Sequence, residues 1–372
     1  MVGLRASATL VALSALACAP TPAARLPEPA LADSAAASVR VATVQQELSI
    51  LADDSMEGRG TGTIGSARAA RYIADVMREI GLTPAASPGA PALAPADTGA
   101  SADPDAGRAR YYQRLPAVRS GRRVRILSDF GALERTPPAR RAEVENVVGL
   151  LPGTDTVRGG EAIVVDAHYD HLGIGTPVNG DSIYNGADDD GSGTVAVLEI
   201  ARALAARPRP RRTIVFLATT GEEVGMLGTD WYLAHPVVPL TRTMANLEIE
   251  QIGRPDQLAG GAGRAWLSGF ERSTMGRSFR DAGLPVVPDP HPGEQFFQRS
   301  DNIEFAQAGV PAHTLSSFGL HVDYHEPSDE VGGIDFAHMT AVIRTAVRAV
   351  ELLANGPAPR WYAGGRPTPD FH

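Results

Sequence analysis

Imidazole and carboxylate groups carry the chemistry open to this chain: His168 with Asp170, three consecutive aspartates at 188–190, Glu222-Glu223, Glu248 and Glu250, and Tyr324-His325. Each stands at or just past the end of a β-like apolar run. Such groups converging on one sheet edge make a site for two divalent ions, with zinc the first choice and a spare glutamate as general base. The ligands would also accept Mn2+ or Co2+. The reaction indicated is amide hydrolysis by metal-activated water.

Taken singly, the pieces divide the work. His168 and Asp170 are separated by one residue, so strand geometry puts both side chains on one face, with Asp170 placed to orient the ring. His171 competes with His168, but Leu172-Gly173 reads as a turn and favours His168. Three adjacent aspartates repel one another unless cations neutralise them. Acidic capping of the following helix accounts for one of them and poorly for three, and Asp189 is the choice for a carboxylate bridging two metals. In Glu222-Glu223 one carboxylate binds metal while its neighbour takes a proton from water. His325 is the natural second imidazole, Asp329 is placed to orient it, and the Tyr324 hydroxyl can donate to a developing oxyanion. His321 reads as a loop histidine.

The elements that must position these groups alternate. Residues 162–167, 213–219, 244–252 and 311–316 read as strands; residues 192–206 and 334–353 read as helices. Leu48 and Leu51, then Ala70, Ile73, Val76, Met77 and Ile80, suit two earlier amphipathic helices, the second closing at Gly81. This predicts an α/β fold: a mixed, mostly parallel central sheet covered by helices on both faces. Sites in such folds form beyond the carboxyl ends of the strands.

Composition removes competitors. All 34 basic side chains are arginine, so Schiff-base chemistry, a P-loop lysine and Ser-Lys catalysis are excluded. The single cysteine, Cys18, excludes thiol proteases and cysteine-zinc sites, and no Gly-x-Ser-x-Gly elbow is present. A net charge of −9 argues against nucleic acid as a partner. Residues 1–17 read as an export signal, Arg5 preceding a short apolar run. Ala15-Leu16-Ala17-Cys18 resembles a lipoprotein cleavage box, which makes Cys18 a candidate lipid anchor; the alternative is ordinary cleavage and secretion. The expected location is periplasmic or membrane-anchored. A tether at 18–43, a main domain at 44–356 with a disordered insertion at 85–110, and a tail at 357–372 complete the expected organisation.

In combination, 167–173, 185–193, 221–225, 300–302 and 323–325 make the chain resemble the two-zinc aminopeptidase family, which also includes glutamate carboxypeptidases and glutaminyl cyclases. The resemblance runs from about Val44 to Leu353, leaving out the insertion at 85–110. It implies a zinc exopeptidase acting on peptides, with His168 and a bridging Asp189 as ligands, Glu222 as general base, and Glu223 and His325 on one metal. The remaining ligand is Glu250 if the chain is aligned on Ile252-Gly253-Arg254, and Glu248 if on Asn246-Leu247; Glu250 is preferred. Either way glutamate stands where the family usually has aspartate. The resemblance also implies a cis peptide between Asp189 and Asp190. An aminopeptidase is the leading expectation; a carboxypeptidase, a cyclase or a non-catalytic binding domain on the same fold are the alternatives.

Overall fold

The computed structural model describes residues 32–85, 104–121 and 123–368. The expected leader, Cys18 and residues 86–103 of the expected insertion lie outside them. Among these residues, nine strands form the main sheet: β1 (Thr83–Pro84), β2 (Tyr112–Arg114), β3 (Glu145–Leu151), β4 (Ala162–His168), β5 (Thr213–Thr219), β6 (Thr243–Glu250), β7 (Ala265–Leu267), β8 (Val286–Pro288) and β9 (Ala312–Ser316). Their order is β1-β3-β5-β4-β6-β9-β7-β8, with β2 also paired to β3. The central run β5-β4-β6-β9 is parallel, and antiparallel strands flank it.

β4 and β5 are buried along their whole length, which is why they read as near-continuous apolar runs, interrupted in β4 by the buried Asp166, rather than as alternating ones. Their side chains still alternate between two cores. Ile163, Val165 and Ala167 face the larger one, under α2 (Val41–Leu51), α3 (Ile64–Ile80), α4 (Gly193–Ala205) and α7 (Phe336–Asn355). Ala162 and Val164 face a second core, where α5 (Leu227–Ala234) contributes Tyr232 and α6 (Asn302–Gln307) contributes Phe305. The α3 helix is delimited as its sequence suggests: the Thr63 hydroxyl accepts from Ser66 N, and Gly81 ends it at φ 82°.

Three parts of the chain depart from the sequence reading. Residues 32–38, expected within a tether, form helix α1 (Ala32–Ser38) with Ala35 and Ala36 buried, since an alanine-rich segment has high helix propensity. The expected tail packs as far as it is described: Trp361 Nε1 donates to Gly309 O at 3.1 Å and Tyr362 N to Arg272 O at 2.9 Å. Strand β3 was not anticipated, although all seven of its residues are buried. Its Gly149 lies so close to the end of α3 that a Cβ there would come within 3.1 Å of Met77 and within 2.7 Å of Leu82, just past the helix.

Glu47 of α2 is buried against Arg202 and Glu199 of α4. Burial pushes its carboxyl up to about 7, with Arg202 opposing and Glu199 adding to the rise. A folded pKa above the unfolded value means that the stabilising contribution belongs to the protonated form. It is complete below about pH 4.5 and lost as pH rises to about 7. Denaturant titrations across that window should show a smaller fall in stability for Glu47→Gln than for the unsubstituted protein. Parallel falls would remove Glu47 as the source.

Candidate metal centre

The parallel register brings the strand ends to one level. Thr219 of β5 pairs with His168, and Glu248 of β6 pairs with Asp166, so Glu250 stands two residues further along, beside His168. Beyond β4 the chain forms a short hairpin (Gly173–Val178 with Asp181–Tyr184), then a buried turn over Ala187–Ser192 leading into α4. The peptide between Asp189 and Asp190 is cis.

Two groups of ligand atoms form here. His168, Asp189 and Glu250 offer atoms within 4.8 Å of one another, as do His171, Asp189 and Glu223. Asp189 belongs to both. His168 Nε2 lies 3.4 Å from Asp189 Oδ1, while His325 Nε2 lies 3.1 Å from Asp189 Oδ2 and 3.3 Å from Glu223 Oε2. His171 Nδ1 is 2.6 Å from Glu223 Oε1 but not aligned for a hydrogen bond. That atom, His168 Nε2, His171 Nε2 and Glu223 Oε1 are buried with no hydrogen-bond partner among the described residues. Buried polar atoms left this way cost free energy unless something else satisfies them. An imidazole-carboxylate donor set of this kind fits Zn2+.

The three aspartates have three different surroundings. Asp189 alone turns into the ligand groups; its carboxyl is held well below the usual range because His168, His325 and His171 outweigh its burial. Asp190 Oδ1 accepts from Gly193 N at 2.9 Å and Gln251 N at 3.0 Å. Asp188 accepts from Gly253 N at 2.6 Å and stands 3.1 Å from His321 Nε2. Backbone amides thus account for Asp190, while Asp188 combines a backbone amide with Arg254 Nε at 4.0 Å and with His321.

The supporting residues differ from expectation in two places. His168 Nδ1 lies 3.1 Å from the Asp170 carbonyl oxygen, whereas the Asp170 carboxylate is 4.0 Å away. That carboxylate is engaged elsewhere, accepting from Thr61 Oγ1 at 2.6 Å and Glu222 N at 3.3 Å. Asp170 therefore orients the ring through its main chain and fixes Glu222 through its side chain. Asp329 was expected beside His325 but accepts from Asp188 N and Asp189 N, each at 3.0 Å, and from Arg254. It holds the aspartate turn.

Glu248 and Glu250 differ in their surroundings as well as in position. Glu248 is wholly buried and accepts from Asp301 N, Asn302 N, Ser300 Oγ and Thr314 Oγ1, which ties the start of α6 to β6 and β9. Glu250 is the one brought to His168 and Asp189; burial pushes its carboxyl up to about 7, partly opposed by His168. Glu222 shares a small recess with Asp189, Glu250 and Tyr324. Burial raises its carboxyl well above the usual range, His168 opposing. Tyr324 stacks on His325 with ring centroids 3.9 Å apart, and burial, then Asp189 and Glu250, raise its phenol. Phe296 and Trp266 wall the same recess, stacked 5.1 Å apart, while Phe297 packs into the second core.

Sequence reasoning passed over two residues. The sequence context of His171 reads as a turn, yet the His171 backbone bridges Gly60 and its ring lies with Asp189 and Glu223. Arg59 is fully buried and donates to the carbonyls of Leu51, Tyr169, Asn185 and Gly186 at 2.6–2.8 Å. An isolated arginine in a short helical turn leaves no pattern in the sequence that could reveal this.

Relatives of known structure share the architecture. A zinc aminopeptidase from Bacillus subtilis superposes with a TM-score of 0.59 at 19% identity, covering 86% of this chain and 96% of its own. The LapA aminopeptidase of Legionella pneumophila gives 0.58 at 16% identity over 88% and 75%. Among curated relatives, a vacuolar membrane protease of Sclerotinia sclerotiorum is 28% identical over 187 residues, 49% of this chain and 16% of that protein. The aminopeptidase YwaD of Bacillus subtilis is 26% identical over 193 residues, 50% and 40% of the two lengths. The chain thus spans less than half the length of these curated relatives. The model described as peptidase family M28 matches residues 146–350, a stretch running from β3 into α7 that takes in every candidate ligand, and the chain belongs to that family.

Proposed function

We propose that this chain is an exported zinc-dependent aminopeptidase that releases N-terminal residues from peptides. The observation that carries the reading is Asp189, whose carboxylate is shared between two groups of ligand atoms. His168, Glu250 and one Asp189 oxygen would hold one cation. Glu223 and the other Asp189 oxygen would hold a second, with His325 as the imidazole and His171 beside it. Bound there, the two ions supply Lewis acidity for the scissile carbonyl and lower the pKa of water.

The chain's own groups do the rest. Glu222, fixed at its backbone by Asp170 and open to the recess, accepts the proton of the attacking water at its carboxylate and returns it to the leaving nitrogen. Tyr324 donates its hydroxyl proton toward the developing oxyanion, its ring held by the stack on His325. The aromatic wall of Trp266 and Phe296 receives the first side chain of the peptide. Export and attachment through Cys18 rest on the leader sequence. No helix among the described residues is long and apolar enough to cross a membrane.

A panel of aminoacyl chromogenic substrates tests the reading. Turnover should fall to background with a chelator and return with zinc, and purified protein should carry two equivalents of the metal. A peptide with an acetylated N-terminus should resist cleavage that its free form undergoes. Turnover indifferent to chelation, or cleavage of both peptide forms alike, would remove the proposal.

A further inference from the structure

Resting on the exopeptidase reading above, a second cavity indicates which peptides the site would take. It shares His325 with the aromatic recess and adds His171 and Glu223, so it opens directly onto the candidate centre. Its volume is about 560 Å³, against about 30 Å³ for the recess. The recess suits part of one residue, and the larger groove is left for what departs. Ile64 and Ile174 line that groove and are 56% and 55% exposed, giving it apolar contacts for a peptide chain.

One cation on its wall lacks a carboxylate. Arg119 lies on the strand Ala117–Ser120, in a small three-stranded sheet apart from the main one. Its Nε donates to Gly121 O at 2.7 Å and its Nη1 to Gly62 O at 3.2 Å, which fixes the guanidinium. No acidic side chain among the described residues comes within ion-pair distance of it. Glu57, on the same wall, is paired with Arg68 at 3.1 Å. A held guanidinium with donors to spare matches a carboxylate in shape and charge.

Removing an N-terminal residue from a peptide with an unblocked C-terminus leaves a fragment that ends in a free carboxylate. We propose that the groove binds the leaving fragment of short peptides and that Arg119 pairs with its C-terminal carboxylate. The preferred substrates are then short peptides with free C-termini rather than the ends of long or blocked chains.

The test uses zinc-loaded protein and peptides of two to five residues, each made as free acid and as C-terminal amide, with release of the first residue followed. At one length or more, kcat/KM should favour the acid by about tenfold, mostly through KM, as expected for a hydrogen bond to a charged group. Arg119→Gln should bring that ratio close to one. Arg125→Gln, on the neighbouring strand and outside the groove, should keep it. Equal cleavage of acid and amide at every length, or a ratio unchanged in Arg119→Gln, overturns this inference and leaves the exopeptidase reading standing. Cleavage of no peptide at all removes both.

Discussion

Replacing Glu222 by alanine should lower kcat by about 10²–10⁴-fold, the usual contribution of a positioned general base, while bound zinc stays close to two equivalents. The separation of effects follows from geometry. Glu222 lines the recess but belongs to neither ligand group, whereas Glu223, its neighbour, sits between His171 and His325. Their shared turn is fixed by Glu222 N donating to Asp170, a contact that survives truncation of the Glu222 side chain. Glu223→Ala should behave in the opposite sense, losing metal first and turnover as a result. Steady-state kinetics alongside metal analysis on the same preparations distinguish them. Substantial residual turnover in Glu222→Ala, with metal retained, would remove it as the base.

The second large effect lies outside the chemistry. Arg59→Ala should destabilise the chelated protein by about 3–5 kcal/mol, because a large buried side chain disappears and four carbonyls lose their donor at once. The partners are spread widely: Leu51 ends α2, Tyr169 follows His168, and Asn185 and Gly186 begin the aspartate turn. Arg59→Lys should recover only a small part of the loss, since one ammonium cannot reach acceptors arrayed around a planar fork. Urea denaturation of the three proteins in chelator measures the difference without any contribution from bound metal. A loss under about 1 kcal/mol for Arg59→Ala would mean that the four acceptors find other partners.

Much of the arrangement was legible because the centre sits where parallel strands end. Apolar runs at 162–167 and 213–219 set the level, and polar residues just beyond them had to lie along one edge. Spacing decided less inside the clusters. The sequence alone left Glu248 and Glu250 open, since both lie on the same face of one strand; position relative to the strand end separates them, Glu248 being enclosed by the start of α6. The reading of three mutually repelling aspartates overlooked backbone amides as partners, and those amides arrive from residues 193, 251 and 253. Asp329 was misassigned for a similar reason: nearness in sequence to His325 suggested a partner, whereas the fold presents it with two main-chain donors about 140 residues earlier. Such contacts follow from how distant segments meet, and local pattern carries no record of them.

The aspartate turn is clasped from both directions along the chain, by Arg59 from before it and by Asp329 from after it. A polypeptide still emerging from the ribosome lacks the later clasp, and lacks His325, until most of its length has been made. Its histidines and acids are then scattered donors with no common focus. On the reading proposed above, metal is then acquired by the finished chain rather than by the nascent one.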